Sequence, residues 1–105
     1  MRYRLSELAE NDLREIWLYV AGDANIETAD QLLEAIGQRF ELLAEHPRIG
    51  RRRSEFGPGV RSFVVEKHVI YYRVEKELLI ARILHGSRDQ AAAWQESTED
   101  HERER

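Results

Sequence analysis

The stretch from Val60 to Asp89 carries the residues that could do chemistry. Arg61, Tyr71, Arg73, Arg82, His85 and Arg88 lie within and just after three short β-branched and aromatic runs. Cleaving RNA through its own 2′-hydroxyl needs a base, an acid for the leaving oxygen and cations around the phosphate. Arg73, Arg82 and Arg61 could supply the cations, and His85 could be the acid or base. Tyr71 could donate a proton, but an ordinary pKa near ~10 makes tyrosine a poor base. The same guanidinium groups on one exposed face would equally suit a protein partner with carboxylates. Each residue also has a plainer reading. His85 at a strand end can be a hydrogen-bonded structural residue, and Arg73 and Arg82 can be solubilising charges. Tyr71 can stack on an arginine stem. Arg88 can pair with Asp89 beside a Ser87 helix cap. Arg51, Arg52 and Arg53 can be a solvated loop, or a contact for nucleic acid or an acidic protein.

Other chemistries find little support. There is no cysteine, so disulfides and thiolate metal sites are excluded. His46, His68, His85 and His101 have no paired metal-ligand spacing. No phosphate-cradling glycine loop joins a strand to a helix, and no serine-hydrolase signature occurs. No cofactor or metal is expected. No apolar run approaches membrane-spanning length and the first residues hold no apolar signal core, so the expected location is cytoplasmic.

The formal net charge is -4, but it is segregated. Residues 1–46 hold four basic and ten acidic side chains, residues 47–94 ten and five, and residues 95–105 two and five. An acidic half followed by a basic half points to a charged partner for the basic part.

The elements that must position these residues follow from periodicity. Tyr3 to Leu5 can form a first strand, and Ser6 is a good helix cap followed by Glu7, Glu10 and Asp12. Leu8, Leu13, Ile16, Trp17 and Val20 recur at helical spacing up to Gly22. A second helix is expected from a capping box at Thr28-Ala29-Asp30-Gln31 to Pro47, and the short link between the helices favours an antiparallel hairpin. Gly37 inside it suggests a close helix crossing. Arg48 to Gly59 reads as loop, and strands are expected over about 60–66, 69–75 and 78–85. Two-residue turns at Lys67-His68 and Lys76-Glu77 would pair Val65 with Ile70, Phe63 with Tyr72, Tyr72 with Ala81, and Ile70 with Ile83. One face would then be apolar: Phe63, Val65, Ile70, Tyr72, Val74, Leu79, Ala81 and Ile83. The other would show Ser62, Val64, Tyr71, Arg73, Ile80, Arg82 and Leu84, with Tyr71 opposite Arg82 and Arg73 beside Ser62. A capping box at Ser87-Arg88-Asp89-Gln90 would open a short last helix, with Trp17 and Trp94 as core anchors. The fold class is α+β: a short N-terminal strand, an antiparallel helix hairpin packed on an antiparallel β-meander, and a short C-terminal helix. Residues 1–94 form the expected single domain, and 95–105 a charged, disordered tail.

Several segments together resemble a known pattern. They are Tyr3-Arg4-Leu5-Ser6 with Ala9, Asp12 and Leu13-Arg14-Glu15-Ile16; the run Phe40 to Arg51 with His46-Pro47-Arg48-Ile49-Gly50-Arg51; Gly59-Val60-Arg61-Ser62-Phe63; Ile70-Tyr71-Tyr72-Arg73; and Ile83-Leu84-His85-Gly86-Ser87-Arg88-Asp89. In order and spacing, over about residues 2 to 94, they resemble the RelE/ParE superfamily of type II toxin–antitoxin toxins, within it the ParE branch. The resemblance implies a cognate ParD-like antitoxin with an acidic amphipathic segment, and growth inhibition of the kind tied to plasmid stabilisation. It implies DNA gyrase as the target in the ParE branch, with no membrane and no sequence-specific DNA binding by the toxin alone. Arg51, Arg61, Tyr71, Arg73, Arg82, His85 and Arg88 become the candidate target or antitoxin contacts. The alternative is a ribosome-dependent mRNA interferase of the RelE kind, with His85, Arg82, Arg73 and Arg61 as its site. The tail after the last strand has no tyrosine, and only Lys67 and Lys76 supply lysine, both at turns. A third reading is a non-toxic member that keeps only antitoxin binding.

Overall fold

The computed structural model describes residues 1–87 and Trp94. Strand β1 (Tyr3–Leu5) leads into helix α1 (Glu7–Asp23). Ser6 caps α1 as expected, its Oγ accepting from Ala9 N–H at 3.0 Å. Helix α2 (Ile26–Glu45) starts earlier than the Thr28 box suggests, because Asn25 Oδ1 accepts from Thr28 N–H at 2.7 Å. Asparagine is the stronger cap and takes the position. The two helices form the expected hairpin. Trp17 is half-buried rather than a deep anchor, and its indole N–H donates to Asp30 Oδ1 at 2.7 Å, tying α1 to α2. The expected close crossing at Gly37 is not there: a Cβ at that position would meet nothing within 4 Å.

The sheet comprises β1, β2 (Arg51–Arg52), β3 (Val60–Val65), β4 (His68–Val74) and β5 (Leu78–His85), in the order β1-β5-β4-β3-β2. The β1 strand runs parallel to β5, and the other pairs are antiparallel. The segment read as loop therefore holds a two-residue edge strand, followed by a 3-10 turn at Ser54–Phe56.

Two registers differ from expectation. The first turn is Glu66-Lys67, so Val65 pairs with His68 and Phe63 with Ile70. Glu66 takes the positive φ of 54° that tightens this turn. A slip of two residues preserves which face each side chain occupies. The second turn spans 75–77, with Val74 opposite Leu78, and a bulge intervenes. Ile70 pairs with Ile83 and Tyr71 with Arg82 as expected, but Tyr72 then pairs with Ile80 instead of Ala81. An extra residue reverses the alternation beyond it. Leu78 and Ile80 accordingly enter the core in place of Leu79 and Ala81, and Val74 is 40% exposed. Ala9, Ile36, Phe40 and Leu43 of the helices close over Val65, Ile70, Tyr72, Leu78, Ile80 and Ile83.

The opposite face is not the polar surface expected. Val60, Val69, Tyr71 and Leu84 form a second apolar cluster there, covered by Phe56 and Trp94. Ser62 is buried as well, while Val64 of that face is 64% exposed. The Ser87 capping box, the short last helix apart from Trp94, and the 95–105 tail lie outside the described residues. Among the described residues, no helix is long and apolar enough to cross a membrane.

Candidate functional site

Arg82 is not a surface cation. Its Nε donates to Asp12 Oδ2 at 2.7 Å and a terminal nitrogen to Asp12 Oδ1 at 2.8 Å, a two-point pair. Both side chains are more than nine-tenths buried. Asp12 Oδ2 also accepts from Ile83 N–H at 3.0 Å. The β1 strand covers β5 only from Leu78 to Ile80, and beyond that the start of α1 takes over the strand's edge. Sequence reasoning missed Asp12 as a partner. The signal was available: a carboxylate three residues after Ala9 and four before Ile16 sits on the core stripe of its helix.

Arg61 is occupied too. It shares a row with Tyr72 and donates to Gly50 O at 2.9 Å and Arg48 O at 3.2 Å. Tyr72 Oη accepts from Gly50 N–H at 2.9 Å and donates to Pro47 O at 2.8 Å. Burial pushes the Tyr72 phenol up, against the Gly50 bond and the Arg61 charge, so it stays protonated. Together these two side chains hold the Pro47-to-Gly50 bend. Gly50 is needed there, since a Cβ would overlap Tyr72 Oη. Arg51 and Arg52 remain exposed on the edge strand.

Tyr71 is 1% exposed and packs edge-on against Phe56 at 5.2 Å. Burial raises its pKa, the Arg53 charge opposes this, and Glu55 adds to it. A raised pKa makes the phenol a still poorer base than an ordinary tyrosine. The Arg53 guanidinium lies over the Tyr71 ring at 5.7 Å and over Phe56 at 5.1 Å. The arginine that stacks on Tyr71 is Arg53. Arg73 lies opposite Val60, not beside Ser62, whose partner is Tyr71.

His85 sits at the far end of the sheet, opposite His68, with ring centroids 5.3 Å apart. Its Nδ1 accepts from Ser87 N–H at 3.1 Å and lies 2.6 Å from Ser87 Oγ. A backbone donor there requires a lone pair on Nδ1, so neutral His85 carries its proton on Nε2. His68 is 9% exposed, and burial followed by the neighbouring His85 lowers its pKa. The pair lines a cleft of about 970 Å³ between the helix hairpin and the sheet end. Ile16, Val20, Leu32 and Ile83 give it apolar walls, Glu15 and Asp23 charge its helix side, and Lys67 its sheet side.

The predicted residues are therefore dispersed. His68, the partner of His85, is five residues along β4 from Arg73, roughly 16 Å. Arg82 is held by Asp12 and Arg61 by backbone carbonyls. Arg88 lies outside the described residues. No group of three potential metal ligands occurs among the described residues. What the arrangement offers is surface: an apolar-walled cleft with charged rims, and a basic edge at β2.

Three comparisons bear on this fold. The family model for the ParE toxin of the type II toxin-antitoxin system, parDE, matches residues 3–90. Toxin ParE1 of Caulobacter vibrioides is 35% identical over 85 residues, covering 81% of this chain and 88% of that relative. Toxin ParE1 of Mycobacterium tuberculosis is 34% identical over 90 residues, covering 84% and 92%. A chain of the solved "Chromosomal ParDE TA system from P. aeruginosa" superposes with a TM-score of 0.71 at 26% identity, covering 81% of this chain and 95% of that one.

Proposed function

For a chain that belongs to the ParE toxin family of type II toxin–antitoxin systems, we propose a toxin that acts by binding a protein, DNA gyrase, in the cytoplasm. The observation that carries this reading is the dispersal of the groups a nuclease would have to bring together. Arg82 and Arg61 are committed to structural bonds, Tyr71 is buried, and His85 lies roughly 16 Å of strand away from Arg73. A toxin of this kind needs no catalytic group of its own. It would hold the enzyme–DNA intermediate through contact surface alone, with residues 1–94 acting as one unit. Purified protein should block gyrase supercoiling in vitro and leave mRNA intact. Undiminished supercoiling with excess toxin, together with cleaved mRNA, would reverse the ranking.

An antitoxin is the second partner, and the solved relative is itself named for a ParDE system. An acidic, amphipathic segment would lay its apolar side in the cleft between the helix hairpin and β5 and set carboxylates against the basic sheet half. The mRNA-cleaving alternative draws on His85, which is exposed at the cleft beside Lys67. The variant that tests it is His85→Ala. Arg82→Ala is a poor probe, because it leaves Asp12 buried without its cation.

A further inference from the structure

Two arginines on the second face of the sheet each have a buried Nε with no hydrogen-bond partner: Arg53 and Arg73. They are neighbours by topology. Arg53 N–H donates to Val60 O at 2.9 Å, and Val60 is the register partner of Arg73. The three residues therefore occupy one row across adjacent segments. The two guanidinium groups meet the same short loop. Arg53 lies over the Phe56 ring at 5.1 Å, and a Cβ on the next residue, Gly57, would come within 2.9 Å of an Arg73 terminal nitrogen. Glycine at that position, with a φ of 129°, leaves room for the cation.

A guanidinium stacked by its face sends its N–H groups sideways, in plane, where a carboxylate can take two of them. Little satisfies them here. The Arg53 Nε makes no hydrogen bond but only a long ion pair with Glu55 Oε2 at 3.4 Å, on a side chain 59% exposed, and one terminal nitrogen donates to Ser62 Oγ at 3.5 Å. Arg73 has no hydrogen bond or ion pair among the described residues. Exposed Arg51 and Arg52 on the adjoining edge strand add to the positive potential.

We propose that Arg53 and Arg73 form a subsite for the carboxylate of an acidic peptide segment. The inference depends on these two side chains and not on the identity of the toxin's target. A nucleic acid fits less well. The nearby rings are turned toward one another, Phe56 and Trp94 at 5.7 Å and Tyr71 and Trp94 at 5.7 Å, and Tyr71 is 1% exposed, so they make a poor stacking platform for a base. The carboxylate has two possible sources. One is a separate polypeptide. The other is the chain itself, since Trp94 packs against Phe56 and Tyr71, the rings on which Arg53 stacks, and is followed in sequence by Glu96, Glu99 and Asp100.

The test follows arginine Nε–H resonances of the intact protein during titration with acetate at constant ionic strength. Arg53→Lys and Arg73→Lys assign the two signals. Both should move along one saturating curve, and each variant should weaken the response of the remaining arginine by about five-fold or more. Linear shifts shared with exposed Arg14 and Arg39 would overturn the subsite. The wild-type curve decides this even if one variant fails to fold. Replacing Glu96, Glu99 and Asp100 by their amides separates the sources. Tighter acetate binding afterwards assigns the native ligand to the chain itself, and an unchanged curve assigns it to another polypeptide. Displacement of acetate by a single-stranded RNA oligonucleotide at lower concentration than by a glutamate-rich peptide would overturn the carboxylate assignment.

Discussion

At the scale of single residues, the Tyr72 hydroxyl has the largest structural consequence outside the cores. One oxygen satisfies both Gly50 N–H and Pro47 O, and so fixes the bend that starts β2. Removing it leaves two backbone groups without their partner in a buried setting. Tyr72→Phe should therefore cost about 1–3 kcal/mol in urea unfolding. Gly50→Ala should cost more, because the new Cβ overlaps Tyr72 and lies 2.9 Å from Ser62 O. The ring carbon beside the hydroxyl is 2.7 Å from that Cβ, so Tyr72→Phe should not rescue Gly50→Ala. A double variant restored to wild-type stability would disprove the clamp. The Pro-x-Ile-Gly-Arg run is visible in the sequence, but its reason is not. Gly50 reads as a punctuation mark until a tyrosine 22 positions away is placed against it.

Among the elements, the outer edge of β5 shows how a helix can stand in for a strand. After β1 ends, Ser6 N–H donates to Ile80 O at 3.0 Å, Ser6 Oγ to Ala81 O at 2.8 Å, and Ile83 N–H to Asp12. The bulge falls within this segment and carries Arg82 to Asp12. Asp12→Ala strands a buried guanidinium and should destabilise the fold by about 3–5 kcal/mol. Asp12→Leu combined with Arg82→Met should recover a large part of that loss, because the pair's desolvation cost disappears with it. If the double variant is as unstable as Asp12→Ala, the Ile83 N–H bond rather than the ion pair is the main tie. The same bulge marks the limit of sequence reading. Helix number, helix order and the meander follow from apolar period and turn residues, which are local signals. The core face of β3 and β4 also survives a misplaced turn, since a slip of two keeps parity. The face of β5 does not, because one inserted residue exchanges Leu79 and Ala81 for Leu78 and Ile80. No local signal announces that insertion. The arginine face failed for a related reason: whether a guanidinium is free depends on Asp12, Gly50 and Phe56, none of which lies on the strands that carry it.

Over the whole molecule, charge and titration set how the protein responds to its surroundings. The sheet half is net basic and the helical half net acidic, so capture of an acidic segment should weaken as salt rises. Binding measured between 50 mM and 500 mM salt should show this, and a flat profile would assign the affinity to apolar contact. Stability should respond to pH through His68. It is 9% exposed, and burial and His85 both hold its folded pKa below the ordinary 6.5. The groups around the same cleft are Asp12, Glu15, Tyr19 and Asp23 of α1, and Glu66 and Lys67 of the turn. Above pH about 7 the ring is neutral in both folded and unfolded chains, so it contributes no slope. As pH falls through 6.5 the unfolded chain takes up a proton that the folded chain still refuses. Stability therefore declines from that point and levels off once the folded ring is protonated as well. Urea midpoints measured from pH 8 to pH 5 should trace this decline, and His68→Phe should flatten it. A slope that persists unchanged in His68→Phe would overturn the assignment to His68.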